Sequence, residues 1–171
     1  MPVKHLKSPP QSPWFFILLL LLAYCVEQGQ PAFAQTKGVL REVYYNLSGG
    51  GAVSELTSSA KFPNNPDEQF LDIAFEAPSN FADYYGQRMR ALLVPPVTGS
   101  YVFWLATDDG GDLYLSTDED PARKVRIAYE PGWAGIREYN KTATAKSAAI
   151  SLTNGVRYYI EALQKEGPGG D

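Results

Sequence analysis

The stretch Thr107-Asp108-Asp109-Gly110-Gly111-Asp112 is the part of this chain best suited to chemistry. Two adjacent carboxylates with a third close by offer hard oxygen donors and nothing softer. Ca²⁺ takes about six to eight such oxygens from carboxylates, carbonyls and water. Asp108 and Asp109 supply at most four. In a regular strand their side chains would point to opposite faces. A cis peptide between them would bring both to one side and shorten the Cα separation. The competing reading is a solvated hairpin turn, because aspartate and glycine both suit turns.

Elimination narrows the alternatives. The chain has one cysteine, Cys25, and one histidine, His5. Both fall in a segment that reads as an export signal rather than as fold. Lys4, His5 and Lys7 give a basic start, Trp14 to Val26 is an uncharged apolar run, and Pro31-Ala32-Phe33-Ala34 fits the small-x-small cleavage rule. Residues 1–34 are therefore expected to be removed after Ala34. An uncleaved anchor would need about 20 apolar residues, more than this run holds. Lipid attachment at Leu22-Ala23-Tyr24-Cys25 is disfavoured by the bulk of Tyr24. A mature domain from Gln35 to Asp171 has neither cysteine nor histidine. It can hold no disulfide, no Ser-His-Asp triad, no cysteine nucleophile and no thiolate or imidazole metal site. Carboxylate chemistry or binding remains.

Charge removes another class. The whole chain carries 15 Lys+Arg against 19 Asp+Glu, a formal net charge of −4. Losing Lys4, Lys7 and Glu27 with the signal makes the mature charge 13 − 18, or −5. Nucleic-acid binders draw most of their affinity from basic contacts to phosphate, so no nucleic-acid partner is expected. The mature chain also holds no run long enough to span a membrane.

The elements that must position the aspartates read as strands. No helical period of useful length occurs, and a period of two recurs instead. Leu71, Ile73 and Phe75 alternate with polar or small residues, as does Arg88 to Leu93. Tyr101 to Ala106 is apolar on both faces, as a central strand between two layers would be, and Leu113-Tyr114-Leu115 follows the acidic connection. Ile150–Leu152 and Arg157–Leu163 flank Asn154-Gly155, the preferred tight-turn pair, and predict a hairpin. A short helical turn is expected over Phe81–Tyr85. With 11 Tyr, 15 Gly and 13 Pro, the chain suits strands joined by many turns. The expected fold class is all-β, an antiparallel β-sandwich or barrel.

Several motifs carry a family resemblance. Gly99-x-Tyr101-x-Phe103-Trp104-x-Ala106-x-Asp108-Asp109, Leu113 to Pro121, Arg157 to Gly167, Phe62-Pro63-Asn64-Asn65-Pro66 and Ala82-Asp83-x-Tyr85-Gly86 stand in the order and spacing of the protective-antigen N-terminal domain family, the PA-14 domain. The likeness runs from about Gly38 to Asp171. It implies an extracellular antiparallel β-sandwich, found in adhesins, glycosidases and toxins as a module of larger proteins. In carbohydrate-binding members, two consecutive aspartates joined by a cis peptide hold Ca²⁺, and the ion coordinates sugar hydroxyls. Asp108 and Asp109 match that pair. Glu166 matches the later side-chain ligand, and Pro168 and Gly170 are the nearest candidates for carbonyl ligands. Asp112 is expected either behind the site or in solvent. The partner implied is a glycan or cell-surface polysaccharide, with Ca²⁺ as cofactor and a secreted, cell-surface or periplasmic location. In other members the domain serves as a structural or pro-segment module, in which metal would only brace the loops.

Trp133, in the turn-rich stretch Glu130 to Gly135, is expected either to stack on a sugar ring or to pack over the core. Catalysis is not expected. Paired glycosidase carboxylates flank the scissile bond from two sides, about 5–5.5 Å or 6.5–9.5 Å apart, whereas adjacent aspartates pointing the same way suit a cation. In the family the glycine-rich turn after Glu166 leads into a last strand. Residues 35–171 without it would expose an open edge. Marginal stability is therefore expected for this segment alone, and cooperative melting above about 60 °C without metal would contradict it.

Overall fold

The structure, a computed structural model, describes residues 38–170; the expected signal segment 1–34, its cleavage site and Asp171 lie outside the described residues. Among the described residues, eight strands form two antiparallel sheets. The larger has six strands in the order β2 (Glu68–Asp72), β1 (Val39–Tyr44), β3 (Gly86–Leu93), β8 (Tyr158–Lys165), β5 (Gly110–Leu115) and β6 (Val125–Glu130). The smaller pairs β4 (Gly99–Tyr101) with β7 (Ile150–Leu152). The described six-stranded sheet keeps two edges, β2 and β6, so the architecture is an open sandwich and not a closed barrel. No described helix is long and apolar enough to cross a membrane.

β8 organises the molecule. It pairs with β3 along its whole length, from Gly86 opposite Lys165 to Leu93 opposite Tyr158, and with β5 on its other side. Its alternation sends Tyr158 and Ile160 into the core between the sheets, with Leu105, Leu113, Leu115, Ala128 and Leu152. Leu163 joins a second cluster with Tyr44, Leu47 and Leu56. Leu56 is the buried residue of a short helix, α1 (Val53–Thr57), which lies against β8. Burial on both faces explains why Tyr158–Leu163 reads as an almost unbroken apolar run.

Four expectations need correction. The Asn154-Gly155 turn is present, with Gly155 at a φ of 75°, but it joins no hairpin. β7 pairs with β4 and β8 with β3 and β5, so the turn carries the chain from one sheet to the other. The Asn154 side chain fixes that crossing by donating to the carbonyls of Pro95 and Pro96. Tyr101 to Ala106 is not a central strand. Regular pairing stops at Tyr101, and one bridge, Trp104 with Lys146, continues it in the two-stranded layer. β2 ends at Asp72, leaving Ile73 fully exposed; its inward residue is Phe70, on which the Arg41 guanidinium stacks. Phe81–Tyr85 forms no helix, and Tyr84 has a φ of 52°. The helix present, α1, is only five residues long, too short for a period to show in sequence.

The outer face of the large sheet carries ion pairs. Glu161 accepts from Lys124 Nζ at 2.6 Å and from the Tyr159 hydroxyl at 2.5 Å. Asp112 accepts from Arg126 at 3.0 Å and from the Tyr114 hydroxyl at 3.1 Å. Burial, and then the neighbouring carboxylate, pushes Tyr159 far above the ordinary phenol range and Tyr114 up to about 12. A folded-state pKa above the unfolded value of about 10 means that the stabilisation is complete below that pH and is lost as pH rises towards 12. Chemical denaturation of wild type is expected to show falling stability between pH 10 and 12, with a shallower fall for Tyr114→Phe. A flat wild-type profile would contradict this account.

Candidate metal centre

Asp108 and Asp109 lie where the chain crosses from the small sheet to the large one. Gly110, Gly111 and Asp112 already belong to β5, so the acidic stretch is a link between layers and not a hairpin turn. The Asp108–Asp109 peptide is cis. Glu166 follows directly on β8. The ladder of β3 and β8 runs one step further there, with Glu166 N–H donating to Tyr85 O at 2.8 Å and Tyr84 N–H to Gly167 O at 2.9 Å.

This arrangement brings one carboxylate oxygen each of Asp108, Asp109 and Glu166 within 4.8 Å of one another. Glu166 is buried and the aspartates are half-buried. Unscreened by a cation, like charges at that spacing repel by on the order of 3 kcal/mol per pair at an effective dielectric near 20. The neighbouring cation is Lys165, which is fully buried; its ammonium donates to Gly50 O at 2.7 Å and to Glu166 O, and lies 3.8 Å from Glu55. Burial pulls the Lys165 pKa down, against the opposing pull of Glu55, Glu166 and Asp109. The ion-pair partner of Lys165 is thus Glu55, outside the cluster of three. The donor set, all hard oxygens clustered on one point with room for carbonyls, water or hydroxyls, fits Ca²⁺.

Glycine permits the approach of the three loops. A Cβ on Gly51 would stand 2.0 Å from Asp109 Cβ, and one on Gly110 would stand 2.5 Å from the Gly51 carbonyl, to which Gly110 N–H donates at 3.0 Å. Asp109 Oδ2 accepts from Gly167 N–H at 3.0 Å. The loops at 49–51, 108–110 and 166–167 therefore interlock around the carboxylates.

The other expected site residues divide. Gly170 borders the groove that Asp108 also lines, whereas Pro168 lies on the exposed turn and does not line it. Asp112 is neither behind the site nor in solvent, because it is buried with its carboxylate engaged by Arg126 and Tyr114. Trp133 is exposed, with the Lys141 ammonium over its ring, so it does not pack into the core. Its neighbour Ala134 donates to Thr107 O at 2.8 Å, which ties the Trp133 turn to the residue before Asp108.

Two buried glutamines were not singled out by sequence. Gln164 Nε2 donates to the Asp108 carbonyl and lies 3.5 Å from Glu166 Oε2, and Gln87 Nε2 donates to Gln164 Oε1 at 3.0 Å. This amide relay holds the backbone of the aspartate pair from behind. The available signal was a polar run, Gln164-Lys165-Glu166, closing an otherwise apolar strand. Partners that orient metal ligands typically contribute about 10–100-fold in affinity. Gln164→Leu is expected to weaken Ca²⁺ binding by about that factor in a calorimetric titration, and an unchanged affinity would count against the relay.

No family model matches the chain. It is 30% identical over 121 residues to the mouse N-acetyl-beta-glucosaminyl-glycoprotein 4-beta-N-acetylgalactosaminyltransferase 1, covering 68% of this chain and 12% of that protein. It is 31% identical over 130 residues to human fibrocystin-L, covering 76% of this chain and 3% of that protein. The chain thus spans a small fraction of the length of the curated relatives it matches. Among solved structures, a selenomethionine-labelled beta-glucosidase from Kluyveromyces marxianus superposes with a TM-score of 0.50 at 18% identity, over 82% of this chain and 16% of that one. That likeness bears on fold alone, and is consistent with the sandwich implied by the PA-14 motifs.

Proposed function

We propose that residues 35–171 form a PA-14-type carbohydrate-binding module, exported by a cleaved signal, that recognises glycans through Ca²⁺ held by Asp108, Asp109 and Glu166. The observation that carries this reading is the convergence of three carboxylate oxygens within 4.8 Å at the rim of the sandwich. Bound Ca²⁺ would supply open coordination positions for vicinal sugar hydroxyls. The chain's own residues do the rest: Gln164 and Gly167 orient the aspartates, and the exposed Trp133, with Lys141 over one face of its ring, offers the other face for a sugar ring. The likeness to a mouse glycoprotein N-acetylgalactosaminyltransferase supports the carbohydrate reading. The module is read as non-catalytic, since the carboxylates converge on one point instead of flanking a bond.

A glycan panel probed in Ca²⁺, in excess chelator, and with an Asp108→Asn/Asp109→Asn variant tests the reading. Binding is expected only for wild type in Ca²⁺, and binding that survives chelation overturns it. The second reading, a module whose metal only braces loops, draws on the interlocking of 49–51, 108–110 and 166–167. It is favoured if Ca²⁺ stabilises the fold and no glycan binds.

A further inference from the structure

A groove of about 920 Å³ opens beside the carboxylate cluster. Its floor is the inner face of the large sheet, including Met89, Leu113, Ile160 and Ala162, and one wall is residues 103–106. Phe75 and Ile136, both exposed, stand at its mouth. Met89, Leu113 and Ile160 are buried, so the apolar surface left open lies on half-buried Ala162 and on Phe75 and Ile136, at a free-energy cost proportional to its area.

Two further observations say what shape of occupant the groove fits. Phe103 O accepts from Ser147 N–H at 2.9 Å and Leu105 N–H donates to Ala145 O at 2.8 Å. Trp104, bridged to Lys146 between those bonds, therefore turns its own N–H and C=O the other way, and by alternation so does Ala106. These groups have no hydrogen-bond partner among the described residues. The groove is lined by residues 103–106 and by none of 145–152, so the unpaired edge is the one that runs along it. In addition Gln87, which is buried and lines the groove, has its Oε1 without a partner. An apolar small molecule would fill the volume and leave all of these groups unmatched. An extended backbone would satisfy the edge groups of Trp104 and Ala106.

We propose that this groove is a strand-acceptor site for an extended, uncharged segment of another polypeptide with apolar residues at alternate positions. The segment adds to the 104–106 edge by backbone hydrogen bonds and places its apolar side chains against Ala162 on the floor and Phe75 and Ile136 at the mouth. It completes the two-stranded layer as a third strand. Among the described residues, Arg137 and Glu76 of the lining pair with each other at 2.8 Å, which leaves no charge for the segment to match away from the Asp108 end of the groove. The proposal is independent of the calcium reading.

The probe is a capped Thr-Val-Thr-Val-Thr-Val-Thr peptide titrated into residues 35–171 by calorimetry, beside the same peptide N-methylated at alternate residues. Saturable binding with a dissociation constant of about 100 µM or tighter is expected, weakened tenfold or more by N-methylation on the paired edge. Ala162→Trp, which fills the groove, is expected to abolish it, and Ala106→Pro, which removes one edge N–H without filling anything, to weaken it. No saturable binding of the unmodified peptide up to about 1 mM overturns the proposal. Equal binding of the N-methylated forms also overturns it, because it would show an apolar pocket and not a strand site. The peptide comparison needs no protein variant, so it decides the matter even if a substitution fails to fold.

Discussion

Adding Ca²⁺ at about 100 times its dissociation constant is expected to stabilise residues 35–171 by about 2.7 kcal/mol, because a ligand that binds only the folded state shifts the equilibrium by mass action. For a domain of this size, that corresponds to a rise in melting temperature on the order of 8–10 °C. The structure supplies the reason for so large an effect. Asp108, Asp109 and Glu166 sit together, so a cation bound among them would relieve the mutual repulsion of their carboxylates. Asp108→Asn/Asp109→Asn removes two charges. Two outcomes are expected together for this variant in a thermal scan with chelator: a melting temperature no lower than that of the wild type, and loss of the calcium response. Mg²⁺ at the same concentration is expected to give a smaller shift, because it demands tighter octahedral geometry and dehydrates reluctantly. A wild-type protein that folds and shows no shift with Ca²⁺ would reduce the aspartate pair to a layer-crossing link.

The candidate site was more legible in sequence than the path of the chain. Asp108 and Asp109 stand out because adjacent carboxylates beside paired glycines are chemically specific whatever fold holds them. Glu166 was found only through the family resemblance, since nothing in the residues alone relates it to a pair 57 positions earlier; β8 makes the connection by running beside β5 in the large sheet. Gln87, Gln164 and Lys165 were not legible, because a buried polar residue and a surface one look the same in a single sequence. The strand content followed from period-two patterning, but pairing did not. Asn154-Gly155 carries a strong local preference for a hairpin, and the tertiary arrangement overrode it. Tyr158–Leu163 buries both faces only by leaving β7 and entering the large sheet between β3 and β5. Ile73 and Phe75 show the opposite error, apolar residues at strand spacing that lie beyond the end of β2.

The largest effect of a single substitution on stability is expected at Glu42, far from the metal centre. Glu42 lies on β1 at 2% exposure, opposite Arg88 on β3 and Gln69 on β2. Its Oε2 accepts from Arg88 at 2.6 Å and from Arg90 at 3.1 Å, its Oε1 from Arg90 at 3.0 Å and from Gln69 at 3.3 Å. One carboxylate thus satisfies two guanidiniums across the β1–β3 seam. Glu42→Ala leaves Arg88, which is 11% exposed, charged and with only the Pro63 carbonyl to accept from it, and breaking a buried pair in this way typically costs about 3–5 kcal/mol. Arg90 is 37% exposed and can turn to water, which places the expected loss near the lower end, about 3 kcal/mol. The cost lies in the stranded charge more than in the lost attraction. Glu42→Leu combined with Arg88→Leu should therefore be less destabilised than Glu42→Ala alone, despite removing more of the native pair. Urea midpoints of the three proteins decide this. If the double variant is the weakest of them, the ion pair contributes net stability, and the β1–β3 seam depends on attraction and not merely on charge balance.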